Sequence, residues 1–330
     1  MPDSFTLPVL LITFNRPERF KHVLEAVKVV SPVELYIFQD GPRNDNDKIL
    51  CAEVRKEIEE MVSWPCNKHT YYSERNLGCG PGPAAAITWF FDHVESGIIL
   101  EDDCIPSRDF FFYCDALLSK YEKDERVGLI GACNYGFKSS DGSSYSFSSG
   151  HHETWGWATW RRTWRIFDYN LDGISQAKFR RIVKDYFRTF KEREYWMDIF
   201  LRVKKDRMND SCWDYQLYFS MWAKGMFVVC PNYNMISNTG SGDDATHTHD
   251  PDSKLLSRST ESLPPVIHPS RVGYDYRFDH YLMRNYIIPY EYGISGLKRI
   301  PFRINRFIKH IVGHYGPWNS YTVKRDIPQA

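Results

Sequence analysis

The stretch Gly97–Asp103, GIILEDD, constrains this chain more than any other. Its first four residues have the length and character of a short buried strand, and three carboxylates follow with no spacer. Like charges crowded beside a core repel and raise one another's pKa, so the triplet needs a partner of opposite sign. A divalent cation held by oxygen ligands meets that need. In an α/β sheet, ligands also gather at the carboxyl ends of the strands. The alternative is a solvated turn before Pro106, with Asp109 capping the next helix.

The rest of the first half predicts such a sheet. Residues 8–14, PVLLITF, read as a buried strand, and Asn15 and Pro17 open a helix whose Phe20, Val23, Leu24 and Val27 keep helical spacing. A second strand over 33–39 closes at Asp40-Gly41-Pro42. A helix near 45–62 carries a mixed-charge, solvated face, and 69–74 is a third strand. Asn76–Pro83 is a Gly/Pro loop, and a helix over Ala84–Val94 leads into GIILEDD. Phe110–Tyr121 and Val127–Ala132 predict a further helix and strand. Strands alternating with helices imply a mostly parallel sheet flanked by helices.

The ligand edge of that sheet would gather Thr13, Asn15, Arg16, Asp40, the loop glycines Gly80 and Gly82, and the acids Glu101, Asp102 and Asp103. Arg16 could face phosphate and Asp40 could accept from a base or ribose. The loop NLGCGPG is either a backbone approach to a nucleotide or an ordinary tight connection. No G-x-x-x-x-G-K-[ST] loop is present and no G-x-G-x-x-G follows the first strand, which removes the main support for kinase-like and dinucleotide readings. The 42 basic and 42 acidic residues cancel, which argues against a general nucleic-acid binder.

In the second half, Ser- and Gly-rich residues 138–150 predict a flexible boundary loop. Trp155-Gly156-Trp157 follows; each tryptophan taken singly reads as core, while the glycine between them removes a side chain where a sugar or a backbone could approach. His151, His152 and Glu153 are candidate metal ligands. Residues 175–224 read as helical with heavy mixed charge, and Asp214 lies there near a helix amino end among aromatics. It is either a first-turn acid facing the helix dipole or a general base, and the sign of its pKa shift is open. Asn238–His249 is either a solvated polar loop or one whose Asp243, Asp244, His247 and His249 could contact phosphate, metal or acceptor. In the tail, Ile304, Phe307, Ile308, Ile311, Val312 and Tyr315 form one helical face beside Arg303, Arg306, Lys309 and His310. Residues 297–315 therefore suit either an anionic membrane surface or packing on the second half. The eight scattered cysteines and the lack of an apolar leader or membrane-length run lead to the expectation of a cytoplasmic protein, peripheral on the membrane at most.

The ordered set TFNRPE, QDG, Gly/Pro loop, IILEDD followed by DFF, the GW pair, WDYQ and the late histidine loop resembles the inverting glycosyltransferases of the GT-A fold. The likeness is to N-acetylglucosaminyltransferase I and its bacterial family 2-like relatives, over residues 1–250. The resemblance implies that Asp103 ligates Mn²⁺ (or Mg²⁺) against a UDP-sugar, with His247 as a further candidate ligand. It also implies that Asp102 and Glu101 face the ribose, sugar or uracil side, and that Arg16 and Asp40 contact the nucleotide. Asp214 falls where the relatives place a catalytic base, although their second acid is Tyr215 here. The organisation this implies is a nucleotide-sugar half over 1–135, an acceptor and catalytic-base half of the same domain over 136–265, and a C-terminal extension over 266–330. The acceptor would be a glycan or a lipid-linked saccharide, with Trp155, Gly156, Trp157 and Asp244 on its side. A sugar-phosphate nucleotidyltransferase and a catalytically inactive carbohydrate-binding protein are the competing expectations.

Overall fold

The structure, a computed structural model, describes residues 5–150, 154–205, 210–240 and 258–287. In chain order the first half comprises β1 Val9–Thr13, α1 Pro17–Lys28, β2 Glu34–Gln39, α2 Asp45–Met61, β3 Asn67–Tyr72, α3 Pro81–His93, β4 Ser96–Glu101, β5 Cys104–Pro106, α4 Arg108–Lys120 and β6 Val127–Gly131. The second half adds β7 Tyr145–Ser148, β8 Trp157–Trp160, α5 Arg161–Trp164, α6 Gln176–Tyr186, α7 Phe190–Lys205, α8 Asp214–Trp222, β9 Phe227–Pro231, β10 Ile236–Asn238 and α9 Tyr276–Leu282. A π-helical turn, Met283–Ile287, continues α9.

Eight strands form one sheet in the order β3-β2-β1-β4-β8-β6-β9-β7, and β5 pairs with β10 in a separate ribbon. The pairings of β1 with β2 and β4, of β2 with β3 and of β6 with β9 are parallel, whereas β8 and β7 run against their neighbours. This is the expected α/β architecture with a mostly parallel sheet. β1 lies between two parallel neighbours, which explains why VLLIT is apolar throughout instead of alternating. α1 buries Phe20, Val23, Leu24 and Val27 and opens on Pro17, where a missing N–H costs nothing.

Several boundaries differ from the sequence reading for identifiable reasons. α3 starts at Pro81, so the Gly/Pro loop is shorter than expected and Gly82 belongs to the first helical turn. The helical region 175–224 divides into α6, α7 and α8. Residues 138–150 are not a loop throughout, because β7 lies in the middle of them and is buried along its length. Ser148 and the serines flanking the strand find partners that composition does not reveal: Ser143 Oγ donates to Tyr145 O (2.9 Å), Ser148 Oγ meets Cys230 Sγ (2.8 Å), and Ser149 donates through N and Oγ to Asp279 (3.0 and 2.6 Å). The outer edge of β7 is covered as well, since Asp275 N donates to Phe147 O (2.7 Å) and Ser144 N to Ile267 O (2.7 Å). Among the described residues no helix is long and apolar enough to cross a membrane.

Gly97, the second residue of β4, is a glycine for a packing reason. A Cβ there would overlap the Phe90 ring and lie 2.8 Å from Pro8 O. Gly97→Ala is therefore expected to lower stability by about 1–3 kcal/mol through overpacking, read as an earlier urea midpoint, and an unchanged midpoint would refute that account.

Candidate active site at the carboxyl edge of the sheet

β1, β2 and β4 are in register at their carboxyl ends: Thr13 pairs with Gln39, and Ile12 with Glu101. The residues that follow each strand therefore emerge together. Asp102 Oδ2 accepts from Phe14 N (3.3 Å), and Arg16 Nη1 reaches both Asp102 Oδ1 (3.1 Å) and Asp103 Oδ2 (3.4 Å). Arg16 thus supplies part of the positive charge the triplet requires. Burial raises the Asp102 pKa, the Arg16 charge pulls it back, and Asp103 raises it again. Glu101 is pushed well above the usual carboxylate range, first by desolvation and then by repulsion from Asp103, Asp102 and Asp214.

That last repulsion locates Asp214, whose carboxylate lies close enough to act on Glu101 across more than a hundred residues of sequence. Asp214 is the first residue of α8. The preceding Trp213 stacks on Trp157 at 5.7 Å and meets Trp164 edge-on at 6.3 Å, which fixes where the helix begins. Cys79 Sγ donates to Ser211 O (3.5 Å), so the Gly loop also reaches the residues ahead of α8. The triplet, the loop and the α8 amino end converge.

The β5–β10 ribbon borders the same spot. Thr239 donates to Asp103 O through N (2.8 Å) and Oγ1 (3.2 Å), and Gly240 lies so close to the Asp103 carboxylate that a Cβ would overlap Oδ2. Arg19 donates to Thr239 O. The first residues of the polar loop that starts at Asn238 are therefore beside the triplet. His151, His152, Glu153, Asp243, Asp244, His247, His249 and residues 297–315 lie outside the described residues.

Asp40 has a different job from the one read in the sequence. Its Oδ1 accepts from Gly41 N (2.8 Å) and Leu77 N (2.8 Å), and its Oδ2 accepts from Gly78 N (3.0 Å) and Asn76 Nδ2 (3.1 Å). Four donors fill a carboxylate's acceptor sites, so Asp40 anchors the Asn76–Gly80 connection and has little capacity left for a base or ribose. Burial pushes its pKa up while the three backbone N–H groups pull it down. Gly82 lets that carboxylate approach, since a Cβ there would lie 3.4 Å from Asp40 Oδ2. Gly80 precedes α3 as its N-cap residue.

Asn15 Nδ2 donates to Asp47 Oδ1 (2.6 Å), and Asp47 is gripped by Arg43 through Nε (2.7 Å) and Nη2 (3.1 Å). The Arg43 guanidinium also lies 4.9 Å from the centre of the Phe14 ring. The sequence reading missed Arg43 and Asp47 because the α2 face was taken as solvated, whereas Asp47 is only 2% exposed. The Arg43-x-x-x-Asp47 spacing across the Asn44 cap was the available signal. Thr13 is buried, with its Oγ1 unpartnered among the described residues.

The tryptophan pair divides. Trp155 is half-buried beside Tyr135, with ring centres 6.4 Å apart, while Trp157 is fully buried in β8. Gly156 is explained by backbone and packing: its φ is +73°, and a Cβ would overlap Ile236 and lie 3.3 Å from Leu100 Cδ2. The close approach that the glycine allows is by protein side chains, Ile236 and Leu100.

The donor set of the triplet is all oxygen, and among the described residues no three His, Cys, Asp or Glu side chains form a ready-made metal cage. One or two carboxylates completed by substrate phosphates is how Mg²⁺-like cations are commonly held, so the residues present fit such an ion.

No protein-family model matches the chain, and no curated protein is similar to it in sequence. Solved structures give remote likenesses. HddC from Yersinia pseudotuberculosis is 10% identical, with 48% of this chain and 78% of that one covered at a TM-score of 0.32. The 4-diphosphocytidyl-2C-methyl-D-erythritol synthase of Anaerococcus prevotii is 10% identical over 60% and 84% at 0.30. The glycosyltransferase GlyE of Streptococcus pneumoniae is 14% identical over 61% and 44% at 0.26.

Asp40→Asn turns one acceptor into a donor facing N–H groups. It is expected to cost about 1–3 kcal/mol and to speed hydrogen exchange at Leu77 and Gly78. Unchanged exchange at those amides would contradict the anchoring role.

Proposed function

We propose that the protein is a metal-dependent inverting glycosyltransferase. It would move a sugar from a nucleotide-sugar, with UDP-sugars the first candidates, to a hydroxyl of a glycan or lipid-linked saccharide. The observation that supports this best is the proximity of Asp214 to Glu101, which gives one site both a carboxylate cluster at a strand end and a separate carboxylate at a helix amino end.

In this reading Asp103, with Asp102 or Glu101 beside it, would hold a Mn²⁺ or Mg²⁺ ion that, when bound, supplies charge neutralisation for the departing nucleoside diphosphate. Arg16 adds a fixed positive charge at the same edge and keeps Asp102 and Asp103 oriented. Asp214 takes the proton of the acceptor hydroxyl as its oxygen bonds to the anomeric carbon. The bond from that carbon to the diphosphate oxygen breaks on the opposite face, and configuration inverts. No enzyme nucleophile is required. The backbone at Thr239 and Gly240 closes one side of Asp103 and limits the approach of water.

Two substitutions test the assignment. Asp214→Asn is expected to leave donor affinity within about twofold while transfer falls by roughly 10²–10⁴-fold, the usual contribution of a general base. Calorimetry with a nucleoside diphosphate and Mn²⁺, run beside a turnover assay, separates the two effects, and normal turnover would remove Asp214 from the mechanism. Asp103→Ala is expected to abolish both the Mn²⁺ dependence of nucleotide binding and turnover. Metal-dependent binding that survives this change would move the cation elsewhere. Release of a nucleoside diphosphate from a UDP-sugar panel supports the transferase, whereas pyrophosphate production from UTP and a sugar phosphate would replace it with a nucleotidyltransferase.

A further inference from the structure

A cavity of about 370 Å³ opens where α9 and the π turn meet the residues after β6. The rings of Phe137, Tyr276 and Tyr281 form part of its wall, and Arg277, His280 and Arg284 bring nitrogen donors. The charges are unequally balanced. Arg277 is engaged by Asp275 through Nε (2.8 Å) and Nη2 (2.7 Å), and His280 Nδ1 faces Glu192 Oε1 (2.9 Å). Arg284 has neither a carboxylate nor a hydrogen-bond partner among the described residues. At its side Asn285 is fixed by a hydrogen bond from Nδ2 to Tyr281 O (2.8 Å).

Two further observations set this cavity apart from an incidental dent. Arg284 and Asn285 lie within the π turn, a conformation that is rare in proteins and frequent at functional sites. A row of rings also leads from the cavity toward the active site: Tyr281 and Tyr286 both donate to Tyr135 O (3.2 and 2.6 Å), and Tyr135 packs on Trp155. Trp155 adjoins Gly156, which lies against Leu100, the residue before the acidic triplet.

We propose that this cavity is an acceptor subsite that takes an acidic saccharide, a sugar bearing a carboxylate or a phosphate. The Arg284 guanidinium pairs with the anion, and the Tyr and Phe rings face the C–H surface of the sugar. The word acceptor rests on the glycosyltransferase reading, but binding at the cavity needs no donor and can be measured alone.

The test is calorimetry of the full chain without donor, using trigalacturonate, glucose 6-phosphate and neutral maltotriose, with sedimentation of phosphatidylglycerol vesicles as a further arm. At least one charged sugar is expected to bind at least tenfold more tightly than maltotriose. Arg284→Ala should remove that preference and leave affinity for nucleoside diphosphate with Mn²⁺ unchanged. Arg284 is exposed, so the variant folds, and Arg284→Lys should restore part of the preference. The two charged sugars distinguish a carboxylate from a phosphate. Equal binding of charged and neutral sugars, a preference that survives Arg284→Ala, or binding to vesicles alone would overturn the proposal. An Arg284-dependent preference in a protein that releases no diphosphate from any donor would keep the cavity and remove the transferase reading. Robust turnover with no such preference would do the reverse.

Discussion

Three carboxylates at the end of one buried strand are a debt of charge that the fold has to settle locally. Glu101, Asp102 and Asp103 cannot retreat into solvent, because β4 lies inside the sheet and Asp102 is buried. The chain answers with Arg16, delivered by the turn after the neighbouring strand β1, and with the backbone N–H of Phe14. Since β1 and β4 are parallel, strand register decides whether this compensation works. A slip of one residue would turn Arg16 away and leave the acids uncompensated.

Much of this was legible in the sequence, and the parts that were share a cause. β1, β2 and β4 are flanked by strands on both sides and read as unbroken apolar runs. Their ends are marked by abrupt changes to polar residues, Asn15, Asp40 and Glu101. Once those strands are placed in a parallel sheet, the meeting of Arg16 with Asp102 and Asp103 follows from topology. Asp214 was harder to place, because its position depends on three tryptophans, Trp157, Trp164 and Trp213, contributed by different segments.

What stayed hidden depends on partners distant in sequence. β7 is rich in serine, and nothing local shows that Asp279, 130 residues away, accepts from Ser149. Asp40 looked available for a ligand because a carboxylate after a strand is identical in sequence whether its oxygens face solvent or four donors. Gly156 looked like an opening because glycine signals missing volume without saying what fills it, and Ile236 fills it here. Asp47 was hidden for the opposite reason: it continues the buried row of Cys51, Val54 and Ile58, but a carboxylate there reads as part of the solvated face until Arg43 is placed beside it.

The two margins of the eight-stranded sheet are guarded by different means. At one end, β3 exposes much of its length, and its Lys68 and His69 are paired with Glu59 (2.7 Å) and Glu34 (3.1 Å), polar groups that make a poor template for a foreign strand. At the other, the backbone of β7 is already occupied by Ile267 and Asp275 from the chain's own later residues. The segment that leads into α9 therefore also shields the sheet against aggregation, and its loss would bare a hydrogen-bonding rim as well as a cavity wall.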